Sequence, residues 1–242
     1  MARPVLLDNV EHHDLRIITR HGPEYGDAVN QALVVPTEYA ELQRDYPIFF
    51  RQNSEGGFES FVLLGLDPDE NLFLDSDVWQ ARYIPALLAR GPFMIGFRSD
   101  GSDGDGHREP VIHVDLDHPR ASRSDGEPLF LQHGGNAPAL ERTARALRAL
   151  HVGAEMSAAM FAAFIDAGLI APVEIKIRLD ERSEYDLPGL FSISAEALAN
   201  LDGAALAKLH ANGFLALAFH VVTSTGNINR LIEIKNRRRA MA

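Results

Sequence analysis

The stretch Val111-Ile-His-Val-Asp-Leu-Asp-His-Pro-Arg120 sets one His and two Asp at alternate positions. In an extended strand that spacing puts all three on one face. Imidazole plus carboxylate is the donor set of non-heme iron sites, in which two His and one carboxylate hold one face of the metal. His113 and Asp115 would supply two ligands, Asp117 a further oxygen, and His151, His210 or His220 the missing imidazole. The same alternation is also what a half-solvated antiparallel strand requires, with Ile112, Val114 and Leu116 turned to the core. The solvated face is the simpler reading. A divalent metal at His113, Asp115 and Asp117 is the one cofactor the pattern suggests, and otherwise none is expected.

A second cluster gathers Trp79, Tyr83, Pro85, Arg90 and Phe93 within fifteen residues. Aromatic rings beside an Arg are common where proteins hold planar ligands or partners, so Trp79, Tyr83, Arg90 and Phe93 are candidate binding residues. An aromatic stripe at helical spacing equally describes a core face. The acidic run in "DGSDGDGHRE" is not an EF-hand: counted from Asp103, the fifth position is His107 and the sixth Arg108 instead of Gly. His12 and His13 are neighbours, which point to opposite faces of a strand, and both read as surface residues. No nucleophile elbow, phosphate-binding loop, dinucleotide fingerprint or HExxH motif is present, and no catalytic residue is nominated.

The bulk composition narrows the classes further. The chain has 242 residues, enough for one sizeable core, with 46% hydrophobic and 24% charged residues. A formal net charge of -11 opposes non-specific binding to nucleic acid and docking on anionic membranes. With no Cys, disulfides, thiolate catalysis and cysteine-held metals are excluded. The N-terminus carries no apolar run of signal-peptide length, and no run is long enough to span a bilayer, so a cytoplasmic location is expected.

The candidate residues need elements to position them. Leu15–Thr19, Ile48–Arg51, Phe58–Leu66, Asn71–Leu74 and Phe93–Phe97 read as strands, the second and third joined by a Gly-Gly hairpin loop. Pro36 opens a short helix, and Trp79–Arg90 has helical spacing with Pro85 kinking the helix or delaying its start. The Ala-rich segment from Pro138 onward predicts two helices separated at Gly153, the second stopping at Gly168. Val173–Leu179 alternates cleanly and pairs with Tyr185–Ile193 across a turn. Ser194 and Asp202 are helix caps, the second helix ends at Asn212-Gly213, and a final helix resumes after Gly226, where its basic end, Lys235 to Arg239, complements the dipole. The expected class is α+β, a mainly antiparallel sheet with helices packed on it and an Ala-rich helical segment in the second half. One domain over 1–242 is expected, with a subdivision near 131–137 as the alternative.

Over nearly its whole length the sequence resembles the bacterial SapC family. The resemblance is carried by "VVPTEYAELQRDYPIFFR", "ENLFL", "WQARYIPALLARGPFMIGF", "DLDHPR" with "GEPLF", and "LPGLFSISAEALANLDGAALAKLHANGFL". The family is named for a protein linked to a bacterial surface layer, and no reaction is established for it. Its genes tend to lie near those of halogenase-like, cupin-like and TonB-dependent receptor proteins, which implies an accessory role in a nutrient or metabolite system. A peptide-transport permease of the same name is unrelated, since it needs membrane spans that are absent here. Three expectations follow: a non-catalytic binding or accessory protein holding a small molecule or protein partner, a metal-dependent enzyme built on His113 and Asp115, or a surface-layer component. A symmetric homodimer is the default assembly.

Overall fold

The computed structural model describes residues 4–99, 108–181 and 183–241. The expected acidic loop around Asp103 therefore lies largely outside the described residues. In chain order the first half comprises β1 (Pro4–Leu6), β2 (Arg16–Ile17), β3 (Gln31–Val34), α1 (Tyr39–Leu42), β4 (Ile48–Gln52), β5 (Phe58–Leu63), β6 (Leu74–Asp75) and β7 (Val78–Trp79). It continues with α2 (Ala86–Ala89), β8 (Phe93–Ser99), β9 (Arg108–Asp115), β10 (Ala121–Ser122) and β11 (Glu127–Pro128). The second half comprises α3 (Pro138–Asp166), β12 (Ile170–Asp180), β13 (Ser183–Ile193), α4 (Ala195–Ala199), α5 (Gly203–Ala211), α6 (Phe214–Ser224) and α7 (Ile228–Met241).

All strand pairings are antiparallel and, with the helices packed on them, make the α+β architecture that the sequence predicts. The largest sheet has five strands in the order β12-β13-β4-β5-β3; two three-stranded sheets run β1-β9-β8 and β10-β2-β11. The β4–β5 hairpin closes as expected. Asn53 Oδ1 accepts from the backbone N–H of Glu55 at 3.0 Å and of Gly57 at 2.9 Å, while Gly56 takes a left-handed φ of 81°. Ser194 and Asp202 cap α4 and α5, accepting from Ala197 N at 3.1 Å and Ala205 N at 2.7 Å.

Two apolar clusters result. The larger lies between the five-stranded sheet and the helices, where Phe50 meets Phe161 edge-on at 5.1 Å between ring centroids. The smaller joins Leu15, Ile17, Phe93, Val114 and Leu129 to Ala139, Leu140 and Leu147 of α3. Residues on both sides of 131–137 thus pack into one cluster, and α3, 29 residues and roughly 43 Å long, supplies side chains to both clusters.

Three expectations are corrected here. Gly153 does not separate two helices, because α3 runs through it. A Cβ at this position would stand 2.5 Å from Val35 Cβ and 2.7 Å from Thr37 Oγ1, so the glycine serves close packing. Asn71–Leu74 is mostly a turn: Asn71 Oδ1 accepts from Phe73 N at 3.0 Å and its amide donates to Asp27 O at 2.9 Å, leaving only Leu74–Asp75 to pair with Val78–Trp79. In the 79–90 segment Trp79 lies on a strand, and the helix is one turn starting after Pro85, the delayed start that proline imposes.

The C-terminal basic cluster does more than complement a dipole. Lys235, 8% exposed, bridges Asp67 and Glu70, the latter at 2.6 Å, and Arg239 pairs with Asp180. Among the described residues no single helix is long and apolar enough to cross a membrane.

Candidate binding cavity

The alternating stretch forms β9 only as far as Asp115; Leu116 and Asp117 belong to the turn that follows. Asp115 Oδ1 accepts from the backbone N–H of Asp117 at 3.1 Å, so this carboxylate stabilises the turn. Asp117 therefore does not share the strand face of His113. The His113 imidazole lies over Gly96 on the neighbouring strand, so close that a Cβ there would stand 2.5 Å from the ring. Val114 faces the smaller core, and the half-buried His113 and Asp115 point the other way.

The other imidazoles stand apart. His151 is on α3 and meets Phe97 at 5.3 Å between centroids. Phe97 shares a face of β8 with Phe93, the core side, so the β8–β9 ladder lies between His151 and His113. His210 and His220 are carried by α5 and α6 in the second half. Among the described residues, no three His, Asp or Glu are grouped so as to hold a metal ion. His12, expected at the surface, is 5% exposed, and its Nδ1 accepts from Asp8 N at 3.1 Å; His13 is exposed.

Trp79 and Tyr83 belong to the main core and its margin. Trp79 is 7% exposed and its Nε1–H donates to Tyr46 Oη at 2.7 Å; that hydroxyl donates to Tyr83 O at 2.5 Å. Tyr83 in turn donates to Glu38 Oε1 at 3.1 Å. Glu38, 1% exposed, also accepts from Ala86 N at 2.6 Å and Val35 N at 3.0 Å, fixing the start of α2 to the first helical turn. Burial pushes the Glu38 carboxyl above its ordinary range, against the pull of those three donors. Burial also raises the Tyr83 phenol, and the nearby Glu38 charge adds to the shift.

Arg90 and Phe93 have a different setting. Both line a cavity of about 190 Å³ with Ile17, Thr19, His21, Ile84, Leu88, Arg120, Ala139 and Thr143 among its walls. Its walls come from β2 and the chain after it, from α2 and the start of β8, from the β9–β10 turn and from the first turns of α3. His21 joins the two clusters, since its ring meets the Trp79 indole edge-on at 5.4 Å and also lines the cavity.

The back of that wall is a buried ionic network. Asp27, 2% exposed, accepts on one oxygen from His21 Nδ1 at 3.0 Å, Gly22 N at 3.0 Å and Arg120 Nη2 at 2.6 Å. Burial acts to raise its carboxyl, but the His21 and Gly22 hydrogen bonds, with the Arg120 charge, hold it below the ordinary value. Because the carboxylate is charged, His21 donates from Nδ1, which leaves Nε2 as the ring nitrogen for an occupant. Arg120, 6% exposed, also donates to Ile18 O at 2.8 Å and Arg20 O at 2.7 Å, and it lies 4.8 Å from the Tyr25 ring centroid. Three N–H bonds and one face of this guanidinium are taken up by the protein, so its task is to hold the 16–27 segment against the β9–β10 turn.

Sequence reasoning reached Arg90 and Phe93 but missed His21, Asp27 and Arg120. The only local signal was Arg120 itself, the last residue of the alternating stretch, whose partner Asp27 is 93 positions away.

Comparison with known proteins places the chain by family alone. A family model described as SapC matches residues 7–231, which includes every residue that lines the cavity. No curated protein and no solved structure matches it.

Proposed function

The chain belongs to the SapC family, and from that premise we propose that it is a non-catalytic binding or accessory protein whose ligand is a small molecule held in the cavity between α2, β8 and the start of α3. The observation that carries this reading is the construction of the wall. Four separate stretches of chain converge on a concave, largely apolar space, and a buried ionic network ties two of them, the 16–27 segment and the β9–β10 turn, to each other. Concave, mostly apolar spaces with a few convergent polar groups are the usual setting of small-molecule sites. At about 190 Å³ the cavity is below the roughly 300–1,000 Å³ of drug-sized sites, which favours a compact metabolite over a peptide or protein partner. The place of action in this reading is the cytoplasm, in a nutrient or metabolite system.

A thermal-shift screen of small metabolites tests this. A true occupant at a hundred times its Kd adds about 2.7 kcal/mol, which raises the unfolding midpoint of a chain this long by roughly 5–10 °C. Ala89 is exposed at the cavity rim, so Ala89→Trp obstructs the mouth without disturbing the core. Hits on the wild type should disappear in that variant. Hits that persist in Ala89→Trp, or a library that stabilises nothing, would remove the reading.

A further inference from the structure

Resting on that reading of the cavity, we propose that its ligand is a small organic carboxylate, with the anionic end on the Arg90 guanidinium and the apolar body against Ile84, Leu88 and Phe93. The argument starts from the charges around the space. Three Arg and one His line it and no Asp or Glu does, in a chain whose net charge is -11. Two of the three cations are already neutralised: Arg120 by Asp27, and Arg142 by Glu127 at 2.7 Å. Arg90 has no carboxylate partner among the described residues. Among the described residues its side chain makes one hydrogen bond, from Nη1 to Phe93 O at 2.7 Å, which leaves the rest of the fork for a ligand.

A half-buried cation without a counter-charge is costly, and burial alone pushes the Arg90 guanidinium below its ordinary range. An anion in the cavity removes that cost. The planar fork favours carboxylate through two parallel N–H···O bonds, and the apolar walls disfavour a fully hydrated inorganic ion. His21 Nε2 and the Thr143 hydroxyl are the other polar groups available to a substituent on the ligand, the Thr19 hydroxyl being engaged by Glu127. The small volume selects a compact body of about one ring.

Benzoate and its neutral isostere benzamide are suitable probes, titrated by calorimetry into the wild type, Arg90→Gln, Arg90→Lys and Ala89→Trp, with circular dichroism confirming that each variant is folded. The expected result is millimolar or tighter binding of benzoate to the wild type, at least about tenfold stronger than benzamide, and weakened about tenfold or more in Arg90→Gln. Arg90→Lys, which keeps the charge without the fork, should fall between the two. Equal binding of benzoate and benzamide, unchanged in Arg90→Gln but abolished in Ala89→Trp, would overturn the carboxylate assignment and leave the cavity reading intact. Binding that Ala89→Trp does not disturb would place the probes elsewhere and overturn both. Inorganic phosphate competing as strongly as benzoate would overturn the role given to the apolar walls.

Discussion

At the scale of single residues, Asp27 and Arg120 matter more than any group singled out by spacing. Both are almost fully buried, and removing one partner leaves the other as an uncompensated buried charge. Arg120→Met or Asp27→Ala should each cost about 3–5 kcal/mol in urea denaturation, whereas the double variant should cost clearly less than the sum. Two of the buried carboxylates, Asp27 and Glu38, should also respond to pH in opposite senses. Asp27 is held below its ordinary 3.8, so its contribution is present at neutral pH and is lost as pH falls through its lowered folded value. Glu38 is held above its ordinary 4.5, so its contribution is complete only in acid and declines as pH rises through its raised folded value. Stability measured against pH should therefore lose part of its acid-side slope in Asp27→Asn and part of its decline with rising pH in Glu38→Gln.

At the scale of elements, α3 provides the sharpest test. In an exposed helix, Gly→Ala gains about 1 kcal/mol from helix propensity. At Gly153 the added methyl would meet Val35 and Thr37 on the facing turn, so Gly153→Ala should destabilise instead, by roughly 1–3 kcal/mol in thermal or urea unfolding. The same position shows why part of the fold was legible and part was not. Period-two alternation in 173–179, the caps at Ser194 and Asp202 and the turn at Asn53 are local chemistry, and each produced the expected element. Gly153 looked like a helix break because the sequence cannot show what packs against it. Asn71–Leu74 looked like a strand because the turn is made by the Asn71 side chain, which also binds the carbonyl of the distant Asp27. The cavity was half legible for the same reason: Arg90 and Phe93 are close in sequence, whereas Arg120 reaches His21 and Asp27 only after folding, across 93 positions to Asp27.

At the scale of the whole molecule, the two apolar clusters are unequal. Among the described residues the larger has 27 buried members and the smaller eight, and the cavity adjoins the smaller. Opening of the β8–β9 ladder should therefore cost less than opening of β4–β5, so the His113 amide, which faces Met94 of β8, should exchange through a lower-energy event than that of Phe61 in native-state hydrogen exchange. Identical exchange free energies for the two amides would show that the clusters open as one. The outer edge of the large sheet points to a further property. Strand β12 is 11 residues long and, among the described residues, pairs only with β13, which leaves one side of its backbone without a strand partner there. Pro172 removes one donor from that strand, register shifts fall between Val173 and Ile175 and between Arg178 and Asp180, and Glu174, Lys176 and Arg178 stand exposed. These are the features by which proteins keep open sheet edges from recruiting neighbours. The hairpin thus carries its own protection against fibril-like stacking, so a crowded, concentrated solution of this protein should stay dispersed until that strand is made flat and uncharged.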